Sequence, residues 1–203
     1  LVDSWSFEID GSEFYKNANN EQVDFYQNKL TGCLTFIDVK LNNISLKSNY
    51  SLCEDAFNFI RTDGSIYNAE INNSISDGLD FDFSNIEIDF LNINNSKNDC
   101  LDMSFGNYKI KKAVISNCGD KGISAGEKSK VLIVTTNIKN TNIAIASKDS
   151  SFVSIDNSDI EAKKCFVAYR KKQEFSGSIL TYKNTNCETK KFINQKGSLI
   201  KQQ

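Results

Sequence analysis

The residues of this 203-residue chain that could do chemistry are aspartates at a repeated spacing. Asp55, Asp77 and Asp99 follow one another at a constant step of 22, and Asn58, Asp80 and Asp102 form a second series with the same step. Asp82 lies beside them and Glu54 at their edge. Such a set has three readings. It can be a solvated acidic face. It can hold a hard cation, Ca²⁺ being the expected one, through Asp77, Asp80, Asp99 and Asp102. It can also line a sugar-binding or catalytic groove in which one carboxyl keeps its proton and serves as an acid. Asp77, Asp80, Asp82, Asp99 and Asp102 would then contact the ligand, and Asp80, Asp102 and Lys121 are the catalytic candidates. Lys121 follows Asp99 by one further step, so it extends the first series as a salt-bridge partner or a general base. If the series stack at strand spacing, neighbouring carboxylates repel by about 0.9 kcal/mol in water and about 3.5 kcal/mol at an effective dielectric near 20.

Two absences limit the chemistry. The chain has no histidine, which removes Ser-His-Asp and Cys-His catalysis and His-ligated zinc. It has no proline, so nearly every backbone N–H is free to enter a hydrogen-bond ladder. The 24 Lys+Arg against 26 Asp+Glu give a net charge of −2, which argues against a nucleic-acid partner. No apolar run is long enough to span a membrane. The chain begins at Leu1 without a charged-then-apolar leader, and the expectation is a segment of a longer protein.

The elements that must position the aspartates repeat with the same period. Leu79, Leu101, Ile123, Ile145 and Val167 recur at that step, with Phe57 and Leu34 preceding them. Phe36, Phe59, Phe81, Met103, Ala125, Ser147 and Tyr169 make a neighbouring column. Ile71, Ile93, Ile115, Ile138, Ile160 and Tyr182 make another, followed two positions later by Asn73, Asn95, Asn117, Asn140, Ala162 and Asn184. Within each repeat the apolar residues alternate, as in Leu79-x-Phe81-x-Phe83, and alternation means strand. Three short strands per repeat, broken by Gly, Asn, Ser and Asp, predict a right-handed parallel β-helix of about seven coils of about 22 residues. The Asn column suits a left-handed turn whose side-chain amides bond to the coil above. Leucine-rich repeats share the period but need a helical return, which Asn94-Asn95-Ser96-Lys97-Asn98-Asp99 does not provide. On the alternation rule Asp80 and Asp102 point outward.

Residues 1–32 do not follow the period. Trp5, Phe7, Phe14, Tyr15, Phe25 and Tyr26 supply aromatic mass for a cap or an irregular first coil. The solenoid occupies 33–187, and 188–203 form a last partial coil or a tail. Six cysteines fall as Cys33 and Cys53, Cys100 and Cys118, Cys165 and Cys187, each pair about one coil apart. Stacking would bring each pair within disulfide range, Cys165 and Cys187 in one column, and disulfides mean an oxidising compartment. The alternative is buried thiols that fill core columns, as Cys100 between Gly78 and Gly122 suggests.

The rungs Asp77–Asn85, Asn98–Asn107 and Gly119–Glu127 resemble right-handed parallel β-helix repeats of the pectin-lyase-like superfamily. They are most similar to β-helices of bacterial surface proteins, some attached to spore-coat-kinase-like (CotH-like) domains. The resemblance covers roughly residues 33–187 and implies the fold more than an activity, because the superfamily holds lyases, hydrolases, epimerases and adhesins. Its lyases pair Ca²⁺-binding acids with an Arg base, but Arg61 and Arg170 lie outside both Asp series. Its polygalacturonases and epimerases use motifs that need histidine. No catalytic set transfers residue by residue. The expected function is therefore a secreted, periplasmic or cell-surface β-helix module that binds polysaccharide or a surface glycan, or acts as a spacer. The alternative is a polysaccharide lyase or glycoside hydrolase that works through the Asp groove.

Overall fold

A computed structural model describes residues 1–15 and 30–203, with Tyr15 described by its backbone alone. Phe25, Tyr26 and the Tyr15 side chain lie outside the described residues. Strand accounts for 71% of the described residues and helix for 2%, so the described structure is nearly all-β. The first half holds α1 (Ser12–Tyr15) and eight strands: β1 (Val2–Asp3), β2 (Ser6–Asp10), β3 (Gly32–Ile37), β4 (Lys40–Asn49), β5 (Asp55–Ile60), β6 (Asp63–Ser74), β7 (Asp77–Ser96) and β8 (Leu101–Cys118). The second half holds β9 (Lys121–Gly126), β10 (Lys130–Lys148), β11 (Phe152–Ile155), β12 (Ser158–Tyr169), β13 (Ile179–Tyr182), β14 (Thr185–Cys187), β15 (Phe192–Asn194) and β16 (Leu199–Gln202). Each strand lies parallel to its neighbours, and the whole is a β-solenoid of about eight turns.

The repeated columns stack as the period requires. Leu34, Phe57, Leu79, Leu101, Ile123 and Ile145 pair successively, coil on coil. The next column inward places Phe36 against Phe59 and Phe59 against Phe81, with ring centroids 4.8 and 4.7 Å apart. That distance is the rise between rungs, so flat rings stack without opening voids. A third column, Ile71, Ile93, Ile115, Ile138 and Ile160, closes the interior. Cys33, Ala56, Gly78, Cys100, Gly122, Ala144 and Cys165 form a column of small residues. There the backbones approach so closely that a Cβ on Gly78 would lie 2.5 Å from the Cys100 carbonyl oxygen.

Asparagine turns the chain at one corner. Asn73, Asn95, Asn117 and Asn140 have φ of 59°, 66°, 58° and 51°, and Asn tolerates this left-handed region better than most residues. Their amides form a ladder: Asn95 donates to Asn73 (2.7 Å), Asn117 to Asn94 (2.7 Å) and Asn140 to Asn117 (2.5 Å).

The ladder ends after Asn140, and the register shifts there. Lys139 pairs with Glu161 and Thr141 with Ala162, so the next coil has no counterpart of Asn140 and is one residue shorter. Ile145 consequently pairs with Phe166, not Val167, and Ser147 with Ala168, not Tyr169. A slip of one residue exchanges the two faces of a strand. Val167 and Tyr169 therefore lie outside the coil, where Val167 packs with Ile143, Ala146 and Ile193. A second departure follows, because residues 170–178 leave the coil between β12 and β13. The added length puts Cys187 opposite Ile160, while Tyr182 pairs with Ile155, and Asn184 joins the turn at Asp156–Asn157. The strict step of 22 does not reach across this insertion.

All three cysteine pairs are disulfides, with Cα–Cα distances of 5.3, 5.5 and 6.2 Å for Cys33–Cys53, Cys100–Cys118 and Cys165–Cys187. Cys165 and Cys187 do not share a column. Cys118 and Cys187 end one side of a coil and bond to a cysteine that begins the next side, so the bond braces the Asn corner. At the N-terminal end Phe7 packs edge-on against Phe36 at 5.0 Å, and Trp5 lies 5.9 Å from Phe7 between ring centroids. Phe14 is exposed. At the other end β15 and β16 extend the stack as a last partial coil.

Candidate functional site

β5, β7, β8 and β9 form the sheet that carries the aspartates. Asp55 pairs with Asp77, and the series Asn58, Asp80, Asp102 and Ser124 is in direct register. The alternation that buries Leu79 and Phe81 sets Asp80 and Asp82 on the outer face. The first series is carried by backbone hydrogen bonding: Asp77 Oδ1 accepts the N–H of Asp99 (2.8 Å), and Asp99 Oδ1 accepts the N–H of Lys121 (3.0 Å). Asp80, Asp82 and Asp102 thus stand on the outer face, and the ladder of Asp77 and Asp99 runs on to Lys121.

The two halves of this face differ in charge. Toward the C-terminus, Lys121 Nζ lies 3.2 Å from both oxygens of Asp99 and contacts Asp120. Lys148 Nζ lies 3.6 Å from Asp102 Oδ1, and Lys172 pairs with Glu127. Toward the N-terminus, no Lys or Arg among the described residues forms an ion pair with Asp55, Asp77, Asp80 or Asp82. Asp80 Oδ2 accepts a hydrogen bond from Asn58 Nδ2 at 2.8 Å. Asp55 is 3% exposed and Asn58 2%; Asp55 hydrogen-bonds Thr31, yet among the described residues Asp55 Oδ2 and Asn58 Oδ1 have no partner.

Burial and mutual repulsion raise these carboxyls. Burial, then the Asp99 charge, pushes Asp77 up to about 8. Burial pushes Asp55 up to about 7, with Glu54 and Asp102 adding repulsion. Asp80 rises through burial and the charges of Asp55 and Asp82, and Asp82 through burial and Asp102. Burial raises Asp99 only to about 6, because Lys121 opposes it. For Glu127 burial works upward, but hydrogen bonds from Lys172 and Ser104 hold it below its ordinary value. Burial disfavours charge on Lys121, yet Asp99 and Asp120 keep its pKa above the usual lysine range. Lys121 is therefore an ion-pair partner and a poor general base.

The four aspartates expected to hold Ca²⁺ do not form one oxygen cage. Asp77 Oδ1 is occupied by N–H groups of Asn98 and Asp99, while Asp99 and Asp102 face lysine ammonium groups. Among the described residues no three Asp, Glu, His or Cys side chains are grouped to hold a metal ion.

An aromatic shelf borders the face. Asp38, Arg61, Phe83, Phe105 and Lys128 turn the second corner, all with positive φ. Phe83 and Phe105 stack at 4.5 Å with planes 7° apart, and Phe83 is 55% exposed. The pattern Leu79-x-Phe81-x-Phe83 suggested a third inward residue. The corner instead turns Phe83 outward, because one left-handed residue ends the alternation. Phe175, from the 170–178 excursion, packs its ring against Phe105 at 6.1 Å, and Lys128 Nζ lies 5.8 Å from its centroid. Beneath the corner the buried Tyr108 hydroxyl lies 3.0 Å from the carbonyl oxygens of both Ser104 and Phe105. The excursion is held by Asp149, whose Oδ1 accepts the N–H groups of Lys171 (2.6 Å) and Lys172 (2.8 Å).

Phe83, Phe105, Lys148, Glu127 and the Phe175 loop were not among the predicted site residues. The period held a signal for three of them. Phe83 and Phe105 continue from Arg61 at the common step, and Lys148 stands one step after Gly126, in the column of Asp82 and Ser104. A concavity of about 890 Å³ lies elsewhere, along the Asn corner beside Asn117, Asn140, Glu161 and Lys163. None of the predicted catalytic, ligand-binding or metal residues lines it.

Fold and site together define a parallel β-solenoid with a carboxylate face and an aromatic border. No protein-family model, curated protein or solved structure matches the chain.

Proposed function

We propose that this chain is a polysaccharide-binding module of a secreted or surface-displayed β-helix protein of the pectin-lyase-like kind. The glycan lies along the Asp face with a sugar ring on the Phe83–Phe105 shelf. One observation carries the reading: the exposed Phe83 ring, next to the outward carboxylate of Asp82, lies parallel to the half-buried Phe105 ring behind it. Pyranose rings have an apolar C–H face that packs on an aromatic plane, and hydroxyls that need hydrogen-bond partners such as carboxylates. Three disulfides support an oxidising compartment. The test is calorimetry or affinity electrophoresis against a panel of glycans. At least one should bind, and Phe83→Ala with Phe105→Ala should weaken it at least about tenfold. Failure of the intact protein to bind any glycan overturns the proposal.

A second reading, glycoside cleavage, is favoured by the raised carboxyls. Asp77 at about 8 keeps its proton at neutral pH, as a general acid must. Asp80 and Asp102 are outward carboxylates paired on adjacent rungs. Cleavage would release new reducing ends from a bound glycan, and Asp80→Asn with Asp102→Asn should abolish that release. A glycan that binds but yields no product removes this reading.

A further inference from the structure

The face displays its own preferred counter-ion. Asp55, Asp77, Asp99 and Lys121 occupy successive rungs of one ladder, and at its C-terminal end an ammonium group sits 3.2 Å from both oxygens of Asp99. One column over, Lys148 places a second ammonium near Asp102. One and two rungs toward the N-terminus the same geometry recurs without the cation. Asp77, Asp80 and Asp82 stand unpaired by any described Lys or Arg. Asp55 Oδ2 and Asn58 Oδ1, both buried, have no hydrogen-bond partner among the described residues. A ligand that brings N–H donors and positive charge would do there what Lys121 and Lys148 do further along. A uronate polymer would add like charge to a face that already raises its carboxyls by repulsion.

Building on the glycan-binding proposal, we infer that the unpaired half of the face, Asp77, Asp80 and Asp82 beside Phe83, selects glycans that carry protonated amines. The class is a polymer of de-N-acetylated amino sugars. Its ring packs on Phe83, and its ammonium groups meet the carboxylates at rungs where the protein supplies no lysine.

The experiment compares four probes by calorimetry at about pH 6 and two salt concentrations: hexamers of glucosamine, N-acetylglucosamine and galacturonate, and hexalysine. The glucosamine hexamer should bind at least about tenfold more tightly than its N-acetylated counterpart and lose affinity as salt rises. Its binding should release protons, seen as a dependence of the measured heat on buffer ionisation. Asp77→Asn with Asp80→Asn should erase the preference, and the salt response of the unmodified protein tests it independently of that variant. Phe83-dependent binding of the acetylated or uronate hexamer with equal or greater affinity overturns the amine preference and leaves the glycan proposal standing. Tighter binding of hexalysine than of the glucosamine hexamer overturns it in favour of a basic peptide. If no sugar probe and no wider glycan binds, both proposals fall.

Discussion

The two corners that flank the aspartate sheet solve the same backbone problem with different residues. Both must reverse the chain through a left-handed residue on every coil. The first uses Asn73, Asn95, Asn117 and Asn140, which accept that conformation at low cost and gain an amide ladder. The second uses Arg61, Phe83 and Phe105, at φ of 48°, 53° and 45°. A bulky aromatic residue is a genuine outlier there. The Phe corner is braced by the buried Tyr108 hydroxyl and by Gly106. At Gly106 φ is +135° and a Cβ would come within 1.9 Å of the Ser84 carbonyl oxygen. The Asn corner is built for stability, whereas the Phe corner holds the Phe83 ring in the open beside Asp82, backed by the half-buried Phe105, at a conformational cost. The contrast is why the candidate site is assigned to the second corner although a concavity of about 890 Å³ lies along the first.

Several substitutions would break or sharpen that contrast. The largest effect belongs to the disulfide bracing the Asn corner. Cys100→Ser with Cys118→Ser should destabilise the fold by about 3 kcal/mol in denaturant titration, given a loop of roughly one coil. Glycan affinity should survive wherever the protein remains folded. The next is the pH response of the sheet between the corners. Asp77 titrates at about 8 in the fold against 3.8 unfolded. Between those values the folded chain keeps a proton that the unfolded chain has released, so stability falls as pH rises from about 4 to 8. Asp55, at about 7, and Asp99, at about 6, act in the same direction. Melting temperature should therefore drop from about pH 5 to pH 8, and Asp77→Asn should flatten that drop; an unchanged slope would refute the assignment.

Smaller effects separate the corners directly. Asn95→Ala should cost about 1 kcal/mol in thermal unfolding, through a lost amide bond and a strained φ, and leave glycan affinity intact. Phe83→Asn should do the reverse and raise stability by about 0.5–1 kcal/mol while weakening binding. If both substitutions changed stability alike and left binding unaltered, the division between the corners would fail.

Much of this is legible in the residues. The columns through Leu79, Phe81 and Ile93 predict both the coil and its inward face, because parallel rungs force like positions to stack. The Asp series and Lys121 fall on one ladder for the same reason. The departures all occur where the period changes. A missing residue after Asn140 moves Val167 and Tyr169 to the outside. The 170–178 excursion carries Cys187 and Asn184 into other columns, so Cys165–Cys187 forms across a corner and not within one column. Phe83 reads as core only if alternation is carried one residue too far, into a left-handed turn. Each departure has the same physical origin: a strand face is set by parity, and parity is lost at an insertion, a deletion or a corner.

By itself, the amino-acid sequence determined that equivalent positions would recur once per coil, which commits an alternating chain to stacked parallel rungs with aspartates in line. Only the tertiary structure decided which of those aspartates receive a lysine and which do not. Lys148 and Lys172 reach their partners from two coils further on or from an excursion off the coil. The outward turn of Phe83 likewise depends on the φ of a corner residue, a rotation that neighbouring coils, and not the local sequence, hold in place.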